Sequence, residues 1–275
     1  MRIALAAAAF ALAASSVGAA EIREFNVTTL ERLGRELSRR DGIAARATDA
    51  VLEKYPVARS LKMRGWITEL KKSADAVHFI TETPSGPTLA YTVSFGQAGA
   101  PEVKDMRGQS LPANIAVRFR ARETAAAAVR GRLFDAPYNF EIVDDPDGSG
   151  FLVYALAATG KADQYVLGGH VRVTVSADGT KPERVDALSK SLLLSRDEKS
   201  ALPRDYDAVA LFMNQIVSNK PVETLIYTAN LAKKNIYVGT PDGKMWIVGN
   251  GKMRVDASKP GTSTEGRAAR KAIGR

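Results

Sequence analysis

Residues 84–95, Pro-Ser-Gly-Pro-Thr-Leu-Ala-Tyr-Thr-Val-Ser-Phe, join a turn to a strand and decide the fold class. After the turn, every second side chain is large and apolar: Leu89, Tyr91, Val93 and Phe95. A period of two is typical of a strand with one buried face. Residues 76–83 lead into the same turn, and residues 61–68 show a similar alternation. The sequence therefore predicts three consecutive antiparallel strands.

Helical patterns lie on both sides of these strands. Thr28-Thr29-Leu30-Glu31 has the spacing of a capping box, and leucines then recur on one helical face. Asp41-Gly42 interrupts this period and Pro56 ends it, so we expect two consecutive or kinked helices, at 29–40 and 43–55. The alanine-rich stretch 112–129 predicts another helix.

The second half of the chain is dominated by strand patterns. Strands are predicted near 138–143, 150–158, 165–176 and 183–193. A helix is then predicted from a cap at Asp205 to Lys220-Pro221, with the buried stripe Val209, Phe212, Met213, Ile216 and Val217. A final meander is predicted at 222–231, 235–239, 244–248 and 252–256, with a hairpin turn at Asn250-Gly251. The fold class expected is α+β with mostly antiparallel strands.

The first twenty residues indicate export. Arg2 precedes an uncharged apolar run, and the small residues Gly18 and Ala20 stand at −3 and −1 before Glu21. We expect a signal peptide at 1–20 and a periplasmic or secreted protein after cleavage near Ala20. The remaining divisions expected are an α+β region at 21–135, a β-rich region at 136–256 and a basic disordered tail at 257–275. The two regions either fold separately or form one domain.

Composition restricts the chemistry. The chain contains no cysteine, which excludes thiol nucleophiles, cysteine-bound zinc and iron–sulfur clusters. No second long apolar run follows the leader, so no transmembrane segment is expected. Neither a serine-nucleophile motif nor a phosphate-binding loop occurs. We expect no cofactor, and catalytic residues cannot be named from the sequence.

The charge excess is concentrated in two segments. The full chain carries a net charge of +9, and residues 104–132 and 257–275 each hold a basic surplus. In an exported protein, such charge favours anionic lipid headgroups, lipopolysaccharide, acidic wall polymers or an envelope protein as partners, rather than nucleic acid. The alternative is that the charge serves solubility alone. The candidate residues for an anionic surface are Arg118, Arg120, Arg122, Arg267, Arg270 and Lys271.

The two histidines of the chain, His78 and His170, show no ligand spacing. His170 follows Gly168-Gly169 and begins a strand in which valines alternate with Arg172 and Thr174, so it is expected on the polar face. Two glycines allow a ligand or another backbone segment to approach closely, which makes Gly169, His170 and Arg172 candidate ligand-binding residues; a plain glycine turn is the simpler interpretation. His78 is expected to be structural and partly buried.

The stretch Asp145 to Gly150 starts like a calcium loop, but position 12 would be Leu156 instead of glutamate. An aspartate–glycine hairpin explains it without a metal, and no metal site is predicted.

Four stretches resemble uncharacterised exported proteins of Gram-negative bacteria: residues 119–125, 150–159, 168–172 and 237–246. The resemblance implies an exported protein and implies no activity or site. Taken together, the residues favour a non-enzymatic binding or interaction protein with a basic surface. The alternative is an envelope hydrolase whose catalytic carboxylates come from distant segments, which spacing cannot reveal.

Overall fold

The computed structural model describes residues 22–96, 99–161, 164–196 and 210–257. The predicted signal peptide, the cap at Asp205 and residues 258–275 of the predicted tail lie outside the described residues. Within these ranges the fold is α+β, as predicted, with three α-helices and fourteen strands. None of the helices in these ranges is long and apolar enough to cross a membrane.

The first helix, α1, is a single continuous helix, so the predicted interruption at Asp41-Gly42 is wrong. Its cap is Asn26, whose side chain accepts a hydrogen bond from the Thr29 amide at 2.8 Å. Apolar residues before and after Gly42 are both buried, and this packing outweighs the low helix propensity of glycine. The helices are α1 (Val27–Lys54), α2 (Ala113–Ala128) and α3 (Glu223–Ala232), and a short 3-10 helix at Pro56–Ser60 follows α1.

The first sheet contains the three predicted strands and one that the sequence did not predict. The fourth strand buries only Val103, so it shows no clear alternation. Neighbouring strands of this sheet are all antiparallel. Their order is β1 (Met63–Glu69), β2 (Asp75–Thr83), β3 (Gly86–Phe95) and β4 (Pro101–Asp105). The turn predicted at 84–87 connects β2 to β3.

The second sheet is also antiparallel, in the order β5 (Tyr138–Asp144), β6 (Phe151–Ala157), β8 (Val171–Val175) and β9 (Pro182–Ala187). The predicted strand 165–176 is broken at Gly168-Gly169, and its first part forms a two-stranded ribbon of β7 (Gln164–Val166) and β10 (Leu194–Arg196). The predicted strand 183–193 accordingly ends early, at Ala187.

The third sheet contains β11 (Ala210–Asn214), β12 (Asn235–Gly239), β13 (Met245–Gly249) and β14 (Lys252–Val255). The hairpin predicted at Asn250-Gly251 is confirmed, and both residues adopt positive φ angles, 50° and 70°. β11 pairs with β12 in parallel, and the other neighbours are antiparallel.

Two predictions for the region before this hairpin are wrong. Residues 210–214, predicted as helix, form β11, and Phe212 and Ile216 of the predicted buried stripe are 39% and 57% exposed. Residues 222–231 were predicted as a strand, but residues 223–232 form α3, which is buried on nearly all sides. A helix buried all round loses its helical periodicity, and a short apolar run then fits either structure.

Helix α1 is shared by two parts of the core. Its first half places Leu30, Leu33 and Leu37 in a cluster with α3, β6 and the third sheet. Its second half places Ile43, Ala47 and Val51 against the first sheet. Helix α2 packs between β1 and the second sheet. These contacts bring residues of α1, α2, β1 and β5 close together.

We expect Gly34→Ala to destabilise the protein by about 1–3 kcal/mol, because overpacking forces α1 and α3 apart. A Cβ at Gly34 would lie 2.6 Å from the Cβ of Ile226 and from the carbonyl oxygen of Glu223. Gly42→Ala on the same helix is the control, since its Cβ would have no neighbour within 4 Å. It should stabilise by about 0.5–1 kcal/mol. Urea unfolding measures the change in the free energy of unfolding for each variant. Equal changes in the two variants would contradict the packing argument.

Candidate functional site

An apolar cavity of about 310 Å³ opens between α1, the first sheet and α2. We call it the Trp66 cavity. Its apolar wall comes from Val51, Leu52, Ala58, Met63, Trp66 and Phe79, and Thr48, Arg64, Gly65 and Arg122 complete it. Ligand pockets are typically apolar with a few placed polar groups. The Trp66 cavity fits this description, with arginine as its charged component.

A bulge in β1 makes room for Arg122. The register of β1 against β2 shifts between Met63 and Gly65, and Gly65 has a φ of 136°. A Cβ at Gly65 would lie 2.7 Å from the guanidinium of Arg122. Only glycine therefore lets this side chain, which comes from α2, reach the strand.

The guanidinium of Arg122 is held on two sides. It lies over the ring of Phe140 at 5.1 Å, and its Nη1 donates to Glu123 Oε1 at 2.6 Å. Its Nε and Nη2 donate to no acceptor among the described residues. Desolvation lowers the pKa of Arg122, although Glu123 works in the opposite direction. Arg122 is therefore a cation that the protein around it neutralises incompletely.

Arg64, at the rim of the cavity, pairs with two carboxylates, Glu82 and Glu123. Among the described residues, Arg122 pairs only with Glu123, so it shares its counter-charge with Arg64.

Behind the cavity, the indole Nε1 of Trp66 donates to Glu141 Oε1 at 2.8 Å. Glu141 is only 1% exposed. Burial raises its pKa to about 7, although the hydrogen bond from Trp66 favours the charged form. This carboxylate stabilises the orientation of Trp66 and titrates near neutral pH.

The predicted candidates at 169–172 are buried, so the expectation of a polar outer face is wrong. The N-terminal segment and α3 cover this face of the second sheet. Gly168 and Gly169 accommodate residues 189–192, because added Cβ atoms would lie 2.8 Å from Ser191 O and from Leu192 Cδ1. The space beside the two glycines is therefore occupied by backbone and side chains of this chain, and a ligand cannot enter it.

His170 packs edge-on against Tyr227, and its Nδ1 accepts a hydrogen bond from the Ala157 amide at 3.0 Å. Because Nδ1 is an acceptor, the proton of the neutral ring is on Nε2. Burial lowers its pKa to about 4. His78 is also buried, between Glu69 and Thr92.

Arg172 lies in a buried charge network. Its Nη1 donates to Glu223 Oε1 at 2.6 Å and its Nη2 to Asp186 Oδ2 at 2.8 Å. Nη2 also donates to the carbonyl oxygen of Arg23, and Tyr154 donates to Glu223. Desolvation by itself would lower the pKa of Arg172, but the acidic neighbours, led by Glu223, raise it. These contacts give Arg172 a structural role.

The three arginines predicted on α2 reach different neighbours. Arg118 pairs with Asp144 at 2.6 Å, and Arg120 donates to the carbonyl oxygen of Asp178 at 2.9 Å. Arg122 borders the Trp66 cavity. Arg267, Arg270 and Lys271 lie outside the described residues.

A cleft of about 580 Å³ contains two carboxylates, Glu24 and Asp186. Hydrogen bonding to Lys220 lowers the pKa of Glu24, and Asp186 accepts from both Arg172 and Arg184. A glycosidase needs one carboxyl group that stays protonated to act as a general acid. Both carboxylates of this cleft are instead engaged by basic side chains, Glu24 by Lys220 and Asp186 by two arginines.

Sequence reasoning selected Arg122 for its charge but missed the rest of its surroundings. A signal for Gly65 was present, since a glycine inside an alternating strand indicates a bulge or a close approach. No local signal marked Glu141, because its burial and its contact with Trp66 come from packing between distant strands.

Comparisons with family models, with curated proteins and with solved structures find no match for this chain. The function is therefore argued from the geometry of the cavities and their charges.

We expect Glu141→Gln to stabilise the protein at high pH. The folded-state pKa lies above the ordinary value of 4.5, so ionisation of Glu141 weakens the fold progressively as pH rises from about 4.5 to about 7. The variant should gain up to about 3 kcal/mol over wild type by pH 8 and nothing at pH 4.

The matched control is Glu31→Gln. Burial opposes ionisation of Glu31, but hydrogen bonds from Lys252 and Met253 outweigh it and lower the pKa. This variant should therefore lose stability at neutral pH. Chemical unfolding at several pH values measures both differences, and a Glu141→Gln gain that does not change with pH would contradict the assignment.

We expect Glu223→Gln to destabilise the protein by about 3–5 kcal/mol, because it removes one counter-charge from the buried Arg172. Asp105→Asn is the control, since it breaks only an exposed pair with Arg107, and should have little effect. Thermal and urea unfolding at neutral pH make the comparison. Equal effects of the two variants would show that the network contributes no more than a surface ion pair.

Proposed function

We propose that this protein is an exported, non-enzymatic binding protein for an anionic amphiphile of the cell envelope. The apolar part of the ligand occupies the Trp66 cavity, and its anionic group binds Arg122. One observation carries the proposal: the incompletely neutralised guanidinium of Arg122 borders an apolar cavity.

The geometry of Arg122 favours a carboxylate or a phosphate. Its Nε and Nη2 have no acceptor among the described residues, and these two groups form one edge of the planar guanidinium. Two oxygens of a carboxylate or phosphate can accept both hydrogen bonds at once. A bound anion would also compensate a charge that desolvation disfavours.

The apolar wall favours a ligand with a hydrocarbon part. Six of the ten lining residues are apolar, and burying a hydrocarbon contributes about 25 cal/mol for each Å² removed from water. The volume of about 310 Å³ is close to the lower limit of roughly 300 Å³ for small-molecule pockets. It therefore suits one short acyl chain or the end of a longer one.

The predicted export supports this ligand class, because anionic lipids are components of the cell envelope. A basic surface would add long-range attraction for the same ligands. Arg118, Arg120 and the basic tail would contribute to that attraction rather than to the cavity.

The test measures binding of decanoate and of neutral decanol by the fluorescence of Trp66. Trp246 is the other tryptophan of the chain, so Trp246→Phe leaves Trp66 as the only reporter. Decanoate should shift the Trp66 emission and bind more tightly than decanol. Arg122→Met should weaken decanoate binding by about tenfold or more and leave decanol binding nearly unchanged.

Arg118→Met is the matched comparison, because Arg118 lies one turn earlier on α2 and pairs with Asp144. It should change decanoate binding little. Equal weakening by the two variants would mean that general surface charge binds the anion, and equal affinity of the wild type for decanoate and decanol would exclude Arg122 as the anion site. Thermal unfolding checks that both variants remain folded.

A further inference from the structure

A second cavity, of about 210 Å³, lies where α1 and α3 meet the second sheet and β7. We call it the Asp41 cavity. Its polar side chains are Asp41, Asn139, Thr159, Gln164, Tyr227 and Thr228. It shares no lining residue with the Trp66 cavity, so it is argued independently of the proposed function.

The carboxylate of Asp41 lacks a counter-charge. Tyr227 donates to its Oδ2 at 3.3 Å, and Asn139 is its other hydrogen-bonding neighbour. Within the described part of the chain, Asp41 forms no ion pair with a lysine, arginine or histidine. The adjacent Arg40 is engaged elsewhere, by Glu36 and by the carbonyl oxygen of Thr68.

The electrostatics agree with this geometry. Desolvation raises the pKa of Asp41, and the hydrogen bonds from Tyr227 and Asn139 offset this only in part. Asp41 is close enough to Glu141 to disfavour ionisation of Glu141. A cation bound in the cavity would relieve both effects.

The local sequence of α1 also indicates a role beyond packing. Asp41-Gly42 places two poor helix formers in the middle of a long helix. Packing does not require Gly42, because a Cβ there would meet nothing within 4 Å. Local choices that oppose the fold are expected mainly at functional sites.

We propose that the Asp41 cavity binds a small ligand that carries an ammonium group, which pairs with the Asp41 carboxylate. The Gln164 amide also lines the cavity; its Oε1 accepts a hydrogen bond from Thr159 at 3.2 Å, and its NH2 group can donate to the polar remainder of the ligand. A group of the size of a water molecule takes up roughly 30 Å³, so a cavity of about 210 Å³ holds a ligand of about seven non-hydrogen atoms.

The test uses choline and its neutral isostere 3,3-dimethylbutan-1-ol, which differ in charge but hardly in shape. Calorimetric titration of the full chain is done at about pH 8, where ionised Asp41 is favoured. Wild type should bind choline about tenfold or more tightly than the neutral alcohol. Asp41→Asn should lose this preference, and Asp105→Asn, which changes an exposed carboxylate, should keep it.

Loss of binding in Asp41→Asn would not result from unfolding. The substitution removes a charge that burial disfavours, so the variant should melt at or above the wild-type temperature. Ethanolamine, titrated in parallel, reports whether a primary ammonium is accepted as well, and selective binding of either ammonium compound supports the proposal. The proposal is overturned if wild type binds neither compound in preference to the alcohol. It is also overturned if Asp41→Asn binds them as wild type does.

Discussion

The structure depends on neutralising one buried cation. Arg172 is only 1% exposed, and a charge removed from water is tolerated only with close counter-charges and hydrogen bonds. Its partners come from three separate parts of the chain: Asp186 on β9, Glu223 at the start of α3, and the carbonyl oxygen of Arg23 in the N-terminal segment. A single guanidinium therefore holds the N-terminal segment and α3 on the second sheet.

The same requirement distinguishes structural charges from candidate functional ones. Arg172 has two carboxylate partners, and the pKa of its guanidinium is raised despite burial. Arg122 and Asp41 are also withdrawn from water, but their pKa values shift toward the neutral form. Each of these two borders a cavity. A ligand of opposite charge would complete the neutralisation that Glu123 gives Arg122 only in part, and would give Asp41 a counter-charge that no described residue provides.

Several glycines allow close contacts between elements because they have no Cβ atom. Gly34 lets α1 approach α3, and Gly65 lets Arg122 reach β1. Gly168 and Gly169 admit residues 189–192, which fill the region that the sequence marked as a candidate ligand site. The same residue type thus creates one candidate site and removes another, and the neighbouring chain decides which.

The sequence by itself determined the α+β class, the strands β1 to β3, helix α2 and the Asn250-Gly251 hairpin, because each depends on local periodicity or turn chemistry. The tertiary structure decided that α3 is a helix and that residues 210–214 form a strand, since burial on several sides and parallel pairing leave no local periodicity. It also decided the candidate sites. The sequence identified Arg122 by its charge, but only packing between α2, β1 and β5 withdraws it from water beside a cavity. Only packing of α1 on α3 buries Asp41 at a place where no described residue supplies a counter-charge.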